Sequence, residues 1–246
     1  MSLGGSTNSR IELNLFTNAT NSAPSVELIQ DTYDSFVTCF GPINNVTVWY
    51  NPYPNTKDSA EYKQNLEDSF DRVIETTSLS DGYIRSIERS ESEFMFMLEH
   101  DWTFLQIDHS LNEICEQMNE LELVHLRFNK RPNRAVGADS VNFKQVNGSL
   151  FPVCLTPFPS NNPHIIHRER YLVSAFKMLR RISGSKGVEE RLNNKGITAA
   201  IYGPIEQPNK VIHTNGRNAL YNQCPVCGTE KPIENSFCSP KCRSKA

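Results

Sequence analysis

The chain has 246 residues, 38% of them hydrophobic, with 25 basic and 28 acidic side chains and a net charge of −3. These values fit one α/β domain of ordinary size with a small appendage, long enough to bury a core without staples, and seven cysteines in a chain this size do not suggest a disulfide framework. No run of 18 apolar residues occurs, so no transmembrane helix is expected.

Residues 1–9 are small and polar without an apolar stretch, which predicts a flexible tail rather than a signal peptide. A cytoplasmic location follows, in which the sequons at Asn18, Asn45 and Asn147 are chance matches. Residues 11–16 read as a strand that ends in a polar loop beginning at Thr17 and Asn18. Val26, Ile29, Tyr33, Phe36, Val37 and Phe40 recur at helical spacing, and Gly41-Pro42 closes that helix. Residues 45–50 form a second strand. Tyr62, Leu66, Phe70, Val73 and Ile74 then share one helix face, and a shorter helix covers residues 83–89. Residues 94–98 are apolar throughout, as a central strand buried on both faces should be. A helix bearing Leu111, Ile114, Cys115 and Met118 precedes a strand at residues 123–126. This β-α-β-α-α-β-α-β order predicts a mostly parallel sheet flanked by helices, with ligands outside the carboxyl ends of its strands. The loop after the first strand and the acidic loop after Leu98 should line one crevice.

Residues 129–163 are rich in Gly, Pro, Asn and Ser and predict a loop-rich insertion with short strands. Tyr171, Leu172, Ala175, Phe176 and Leu179 mark a further helix. Residues 198–202 and 211–213 read as short strands. Charge divides unevenly along the chain: residues 61–122 hold 4 basic and 16 acidic side chains, residues 123–217 hold 15 and 5. The basic half suits a polyanionic partner, or faces the acidic half across the fold.

Two constellations carry chemistry. At the end of the apolar strand, Glu99 and Asp101 stand at i and i+2 and can project to one side. Carboxylates at that position suit Mg2+ or Mn2+ bridged to a diphosphate. The segment Phe-Met-Leu-Glu99-His100-Asp101-Trp102-Thr-Phe resembles the LEDDW-x-F signature of GT-A-fold glycosyltransferases. Three further segments resemble that family in the expected order: Asn162-Pro163-His164-Ile165-Ile166 (an NPxL/I turn), residues 187–192 (GxExxL), and Tyr202-Gly203-Pro204 followed by residues 211–217 (a closing YG…HxGR element). The resemblance covers roughly residues 10–217, within the expected catalytic domain at 10–218. It departs from the family at His100, which replaces the middle acid, and at Thr214-Asn215, where one residue is usual.

The resemblance implies a nucleotide-sugar donor, with UDP the usual nucleotide. It implies Asp101 and His213 on Mn2+ or Mg2+, Glu99 on the ribose or the metal, and Glu189 or Glu190 as the base for an acceptor hydroxyl. Thr17 and Asn18 are candidate nucleobase or ribose contacts, and Arg85 a candidate diphosphate contact.

The second constellation is Cys224-Pro-Val-Cys227 followed by Cys238-Ser-Pro-Lys-Cys242, a C-x2-C-x10-C-x3-C pattern. Two close thiolate pairs are what tetrahedral structural Zn2+ requires. Residues 219–246 resemble small FCS-type zinc ribbons and treble clefs, too short for a core without the metal. Cys39, Cys115 and Cys154 are scattered among apolar residues and read as core positions.

With a basic half and a zinc ribbon, the acceptor could be hydroxymethylated pyrimidine in DNA, as in the bacteriophage DNA-modifying sugar transferases that this chain is similar to. A glycan or lipid-linked saccharide is the alternative acceptor. A non-enzymatic zinc-ribbon protein that binds nucleic acid is the alternative of a different class.

Overall fold

The structure is a computed structural model that describes residues 10–18, 25–52, 59–135, 143–180, 192 and 197–214. In chain order the elements are β1 (Ile11–Thr17), α1 (Glu27–Phe40), β2 (Val46–Tyr50), α2 (Ser59–Ser69), β3 (Val73–Glu75), α3 (Leu79–Arg89), β4 (Phe94–Glu99), β5 (Trp102–Phe104) and α4 (Leu111–Glu120). Then come β6 (His125–Arg127), β7 (Lys144–Asn147), β8 (Pro152–Thr156), β9 (His164–His167), α5 (Arg168–Ser174), α6 (Phe176–Leu179), β10 (Ala199–Tyr202) and β11 (Val211–His213).

Among the described residues, one sheet holds nine strands in the order β3-β2-β1-β4-β9-β6-β10-β8-β7, and β5 pairs with β11 in a two-stranded sheet. In the large sheet β1, β2, β3, β4, β6, β7 and β10 point one way, and β8 and β9 run against them. The sheet is thus mixed and mostly parallel, as the alternating pattern predicts. The chain winds outward from β1 to β3, then returns to place β4 on the other side of β1. The switch point therefore lies between β1 and β4, where an open α/β sheet leaves a crevice at its carboxyl edge.

Strand alternation sorts the core into two layers. From β4, Phe94, Phe96 and Leu98 enter one cluster with Ile29 and Phe36 of α1, Tyr62 and Leu66 of α2, and Ile114 and Met118 of α4. Met95 and Met97 enter the other with Tyr83 and Ile87 of α3, Tyr171 of α5 and Leu179 of α6. Burying each such side chain contributes about 1.5–3 kcal/mol, so these layers dominate the stability. Local signals set the helix ends. Ser78 caps α3 by accepting from the Asp81 amide, and Ser110 with Glu113 forms a capping box on α4. Gly41 ends α1 at φ 79° and ψ 171°, a positive-φ conformation that favours glycine, while its N–H donates to Val37 O.

Three expectations need correction. Val73 and Ile74 leave the predicted second helix: α2 stops at Ser69, and the pair forms β3 on β2. The strand predicted at 123–126 begins later, at His125. The segment that resembles an NPxL/I turn is only half turn, because from His164 it becomes β9, antiparallel between β4 and β6. The insertion at 129–163 supplies β7 and β8, which extend the sheet. Gln117 of α4, wholly buried, holds their hairpin by accepting the amides of Leu150 (2.9 Å) and Phe151 (3.1 Å).

Among the described residues, no helix is long and apolar enough to cross a membrane. The expected zinc-ribbon residues 219–246 and the tail 1–9 lie outside the described residues.

Candidate active site at the carboxyl ends of β1 and β4

The parallel register puts Phe16 of β1 opposite Glu99 of β4, so the two loops that follow start side by side. They are joined by side chains. Thr17 is buried, and its Oγ1 lies 2.5 Å from the Tyr62 hydroxyl and 2.9 Å from His100 Nδ1. The Asn18 amide donates to the same ring nitrogen at 3.3 Å. The backbone of His100 is held as well: its N–H donates to Phe16 O at 3.0 Å, and its carbonyl accepts from Thr32 Oγ1 at 2.5 Å. Thr17 and Asn18, where the loop after β1 begins, therefore meet the turn that carries Asp101. Burial raises the Tyr62 hydroxyl to about 12, despite the opposing hydrogen bond with Thr17, so it stays protonated at neutral pH.

β4 ends at Glu99, and residues 100 and 101 turn into β5. Strand alternation stops there, so it does not govern the direction of Asp101. Its partner comes from β11 instead. Trp102 faces His213 across the β5–β11 ladder, and His213 Nε2 lies 3.0 Å from Asp101 Oδ2. The Thr214 amide donates to the Asp101 carbonyl at 2.8 Å. The Trp102 indole packs on the His213 ring, with centroids 4.4 Å apart and planes 34° apart. A carboxylate and an aromatic face together fix the imidazole. Lys130 Nζ sits 5.7 Å from the Trp102 ring centroid, which brings one cation to this corner.

The chemistry of this pair suits a divalent cation. A carboxylate oxygen and an imidazole nitrogen are both good ligands for Mn2+. Among the described residues, no group of three or more His, Cys, Asp or Glu side chains gathers into a complete cation cage. Among the described residues, Asp101 and His213 thus offer two adjacent donors at this corner.

The other expected site residues have different fates. Glu99 is half-buried at the tip of β4, one residue from the clamped His100. Arg85 is engaged elsewhere: its guanidinium donates to Glu75 O at 2.7 Å and to Asp81 Oδ2 at 3.3 Å, and it lies 5.9 Å from the Trp49 ring centroid. Among the described residues it makes no contact with Asp101 or His213. It is paired at i and i+4 with Asp81 on its own helix. Glu189 and Glu190 lie outside the described residues, as do Cys224, Cys227, Cys238 and Cys242. Leu192, just beyond the two acids, is buried in the layer that holds Phe16, Met97 and Tyr83.

Tyr62, Thr32 and Trp102 join the site without having been singled out. Tyr62 and Thr32 lie on helices whose apolar faces masked their hydroxyls. Trp102 stood beside Asp101, but its ring contact depends on a strand more than 100 residues away.

No family model matches the chain, and no curated protein matches it in sequence. Solved structures do match it in fold. The mannosyltransferase PcManGT from Pyrobaculum calidifontis, in complex with GDP-Man and Mn2+, has a TM-score of 0.50 at 12% identity, covering 81% of this chain and 55% of that one. GalNAc-T7 with UDP, GalNAc and Mn2+ has a TM-score of 0.54 at 8% identity, covering 85% of this chain and 44% of that one. TarS of S. aureus has a TM-score of 0.48 at 11% identity, covering 79% and 35%. This chain therefore spans between about a third and just over half of the length of these three proteins. At such low identity the likeness establishes the fold, which is GT-A-like.

Proposed function

We propose that this chain is a metal-dependent glycosyltransferase that moves a sugar from a nucleotide sugar, most simply a UDP-sugar, to an acceptor hydroxyl. The observation that carries the reading is the Asp101–His213 pair, 3.0 Å apart beside the β1/β4 switch point of a GT-A-like sheet. Two neighbours of that fold were solved with Mn2+ and a nucleotide or nucleotide sugar.

In this reading Asp101 and His213 hold Mn2+ or Mg2+, and Glu99 takes the ribose or the metal. The metal supplies charge neutralisation for the departing diphosphate. Thr17 and Asn18 line the nucleobase and ribose side. Trp102 fixes the plane of His213, which preorganises the pair at no cost during the reaction. Glu189 or Glu190 removes the proton from the acceptor hydroxyl as the sugar carbon forms its new bond and the nucleotide oxygen leaves. Cys224, Cys227, Cys238 and Cys242 hold a structural Zn2+ that folds residues 219–246.

The acceptor we favour is hydroxymethylpyrimidine in DNA. Its support is the excess of 15 basic over 5 acidic residues in 123–217, together with the cysteine-rich segment beyond. A glycan or lipid-linked saccharide is the other acceptor class.

The test is nucleotide release from UDP-sugars with Mn2+, using hydroxymethylcytosine DNA as acceptor, in the wild type and in Asp101→Asn. The reading expects turnover in the wild type and a loss of at least about 100-fold in the variant, the scale of removing one preorganised charge-stabilising group. Equal turnover in both proteins would remove Asp101 from the site. DNA binding without turnover on any acceptor would favour a non-enzymatic nucleic-acid-binding protein.

A further inference from the structure

His100 stands where the resembling family carries an acid, between two carboxylate residues, and its contacts explain what it does there. A backbone amide can only donate, so the Asn18 N–H at 3.3 Å requires His100 Nδ1 to be an acceptor. The neutral ring then carries its proton on Nε2. With no proton on Nδ1, the 2.9 Å contact with Thr17 Oγ1 must be a bond that Thr17 donates. That commits the Thr17 proton, so the 2.5 Å contact with Tyr62 must be donated by Tyr62. The chain Tyr62 to Thr17 to His100 therefore has one direction. Three of its residues come from three elements, α2, β1 and the turn after β4, and all three are buried. The main chain of His100 is clamped independently by Phe16 O and Thr32 Oγ1, so the turn keeps its path without the imidazole.

We infer that His100 is a positioning residue that ties Thr17 and Asn18, on the nucleotide side, to the turn that carries Asp101, on the metal side. It accepts the two bonds that a carboxylate here would accept, and it adds no third negative charge between Glu99 and Asp101. The inference rests on the glycosyltransferase reading, because the two sides it joins are the two halves of a nucleotide-diphosphate site. The side-chain bonds join loop to loop, so their loss loosens the bound nucleotide while the metal pair remains.

The experiment measures the Kd of UDP with Mn2+ by calorimetry, and KM and kcat for the donor, in the wild type, His100→Ala and His100→Asn. Asn places an amide oxygen where Nδ1 accepts. His100→Ala is expected to raise Kd and KM about tenfold, the loss of one to two hydrogen bonds, with kcat within about twofold. His100→Asn is expected to restore both to within about threefold. Thr17→Val provides an independent readout if His100→Ala does not fold, with the same rise in KM. The double variant is expected to fall short of the sum of the two singles, because the two side chains share the Thr17–His100 bond. Unchanged Kd in His100→Ala overturns the inference. So does equal impairment of Ala and Asn with matching losses of melting temperature, which would mark a purely structural role. If wild-type protein binds no UDP with Mn2+, the glycosyltransferase reading fails and takes this inference with it. Binding by the wild type with no change in the variants overturns this inference alone.

Discussion

Acidification should destabilise this fold well before its carboxylates titrate, because two histidines are buried in the sheet without charge. His125 of β6 and His164 of β9 are 2% and 4% exposed, and their rings stack with centroids 4.3 Å apart. His164 donates Nδ1–H to Asn162 O at 2.8 Å, and His125 Nε2 accepts the Ser160 amide at 3.4 Å. His164 is thus held in its Nδ1–H tautomer, and His125 carries its proton on a buried Nδ1 that has no hydrogen-bond partner among the described residues. Burial pushes His164 down to about 4 and His125 well below its ordinary value, and the buried Arg127 beside them acts in the same direction. The unfolded chain binds these protons near pH 6.5 and the folded chain does not. Stability therefore is full above pH 6.5 and falls as pH drops toward 4. For His164 alone, about 2.5 pH units at about 1.4 kcal/mol each give a loss on the order of 3 kcal/mol. In a domain of this size that corresponds to roughly 6–12 °C of melting temperature. Thermal scans at pH 7.0, 6.0, 5.0 and 4.5 read it directly. His164→Asn keeps an amide donor for Asn162 O but does not titrate, so its profile should be flatter than that of the wild type. Glu93, lowered chiefly by its hydrogen bond with Arg10, has linkage of the same sign, but its contribution is lost only as pH falls below about 4.5, at the lower edge of the scanned window. A wild-type melting temperature that is level from pH 6.5 to 4.5 would refute the neutral buried pair.

Two other outcomes check separate parts of the account. Gln117→Leu keeps the buried volume near that of glutamine but strands the Leu150 and Phe151 amides, and should cost about 2–4 kcal/mol in denaturant unfolding, with no loss if the hairpin does not depend on this side chain. Elemental analysis of purified protein should find about one zinc per chain, and Cys227→Ser should lower that value and weaken DNA binding, whereas a wild type free of zinc would contradict the ribbon.

Much of the fold could be read from the sequence because its strands are buried on both faces and its helices on one. The run Phe94 to Leu98 announces a central strand, and Ile29, Phe36 and Phe40 announce the helix that covers it. What was hidden rests on partners distant in the chain. Val73 and Ile74 continue the spacing of Leu66 and Phe70, so nothing local separates a three-residue strand from one more helical turn. Asn162-Pro163 gives a strong turn signal that hides the strand at Ile165 and Ile166, whose place between β4 and β6 is purely a matter of tertiary pairing. The site divides in the same way. Glu99 and Asp101 stand out at the end of an apolar strand, and the family resemblance added His213. The side-chain chain through Tyr62, Thr17 and His100 joins residues 17, 62 and 100, which no periodicity links. Arg85 shows a limit of the sequence, because a charged residue near a sheet edge reads alike whether it serves a ligand or its own helix.

The most direct test of the central claim is a thermal-shift measurement with a panel of nucleotide sugars, each with and without Mn2+, on the wild type and on Asp101→Asn. A donor at about 100 times its Kd stabilises the folded state by roughly 2.7 kcal/mol, several degrees of melting temperature in a domain of this size. The account predicts a shift with a UDP-sugar that requires Mn2+ and disappears in Asp101→Asn. No shift with any donor, or a shift that is indifferent to both the metal and Asp101, would contradict it.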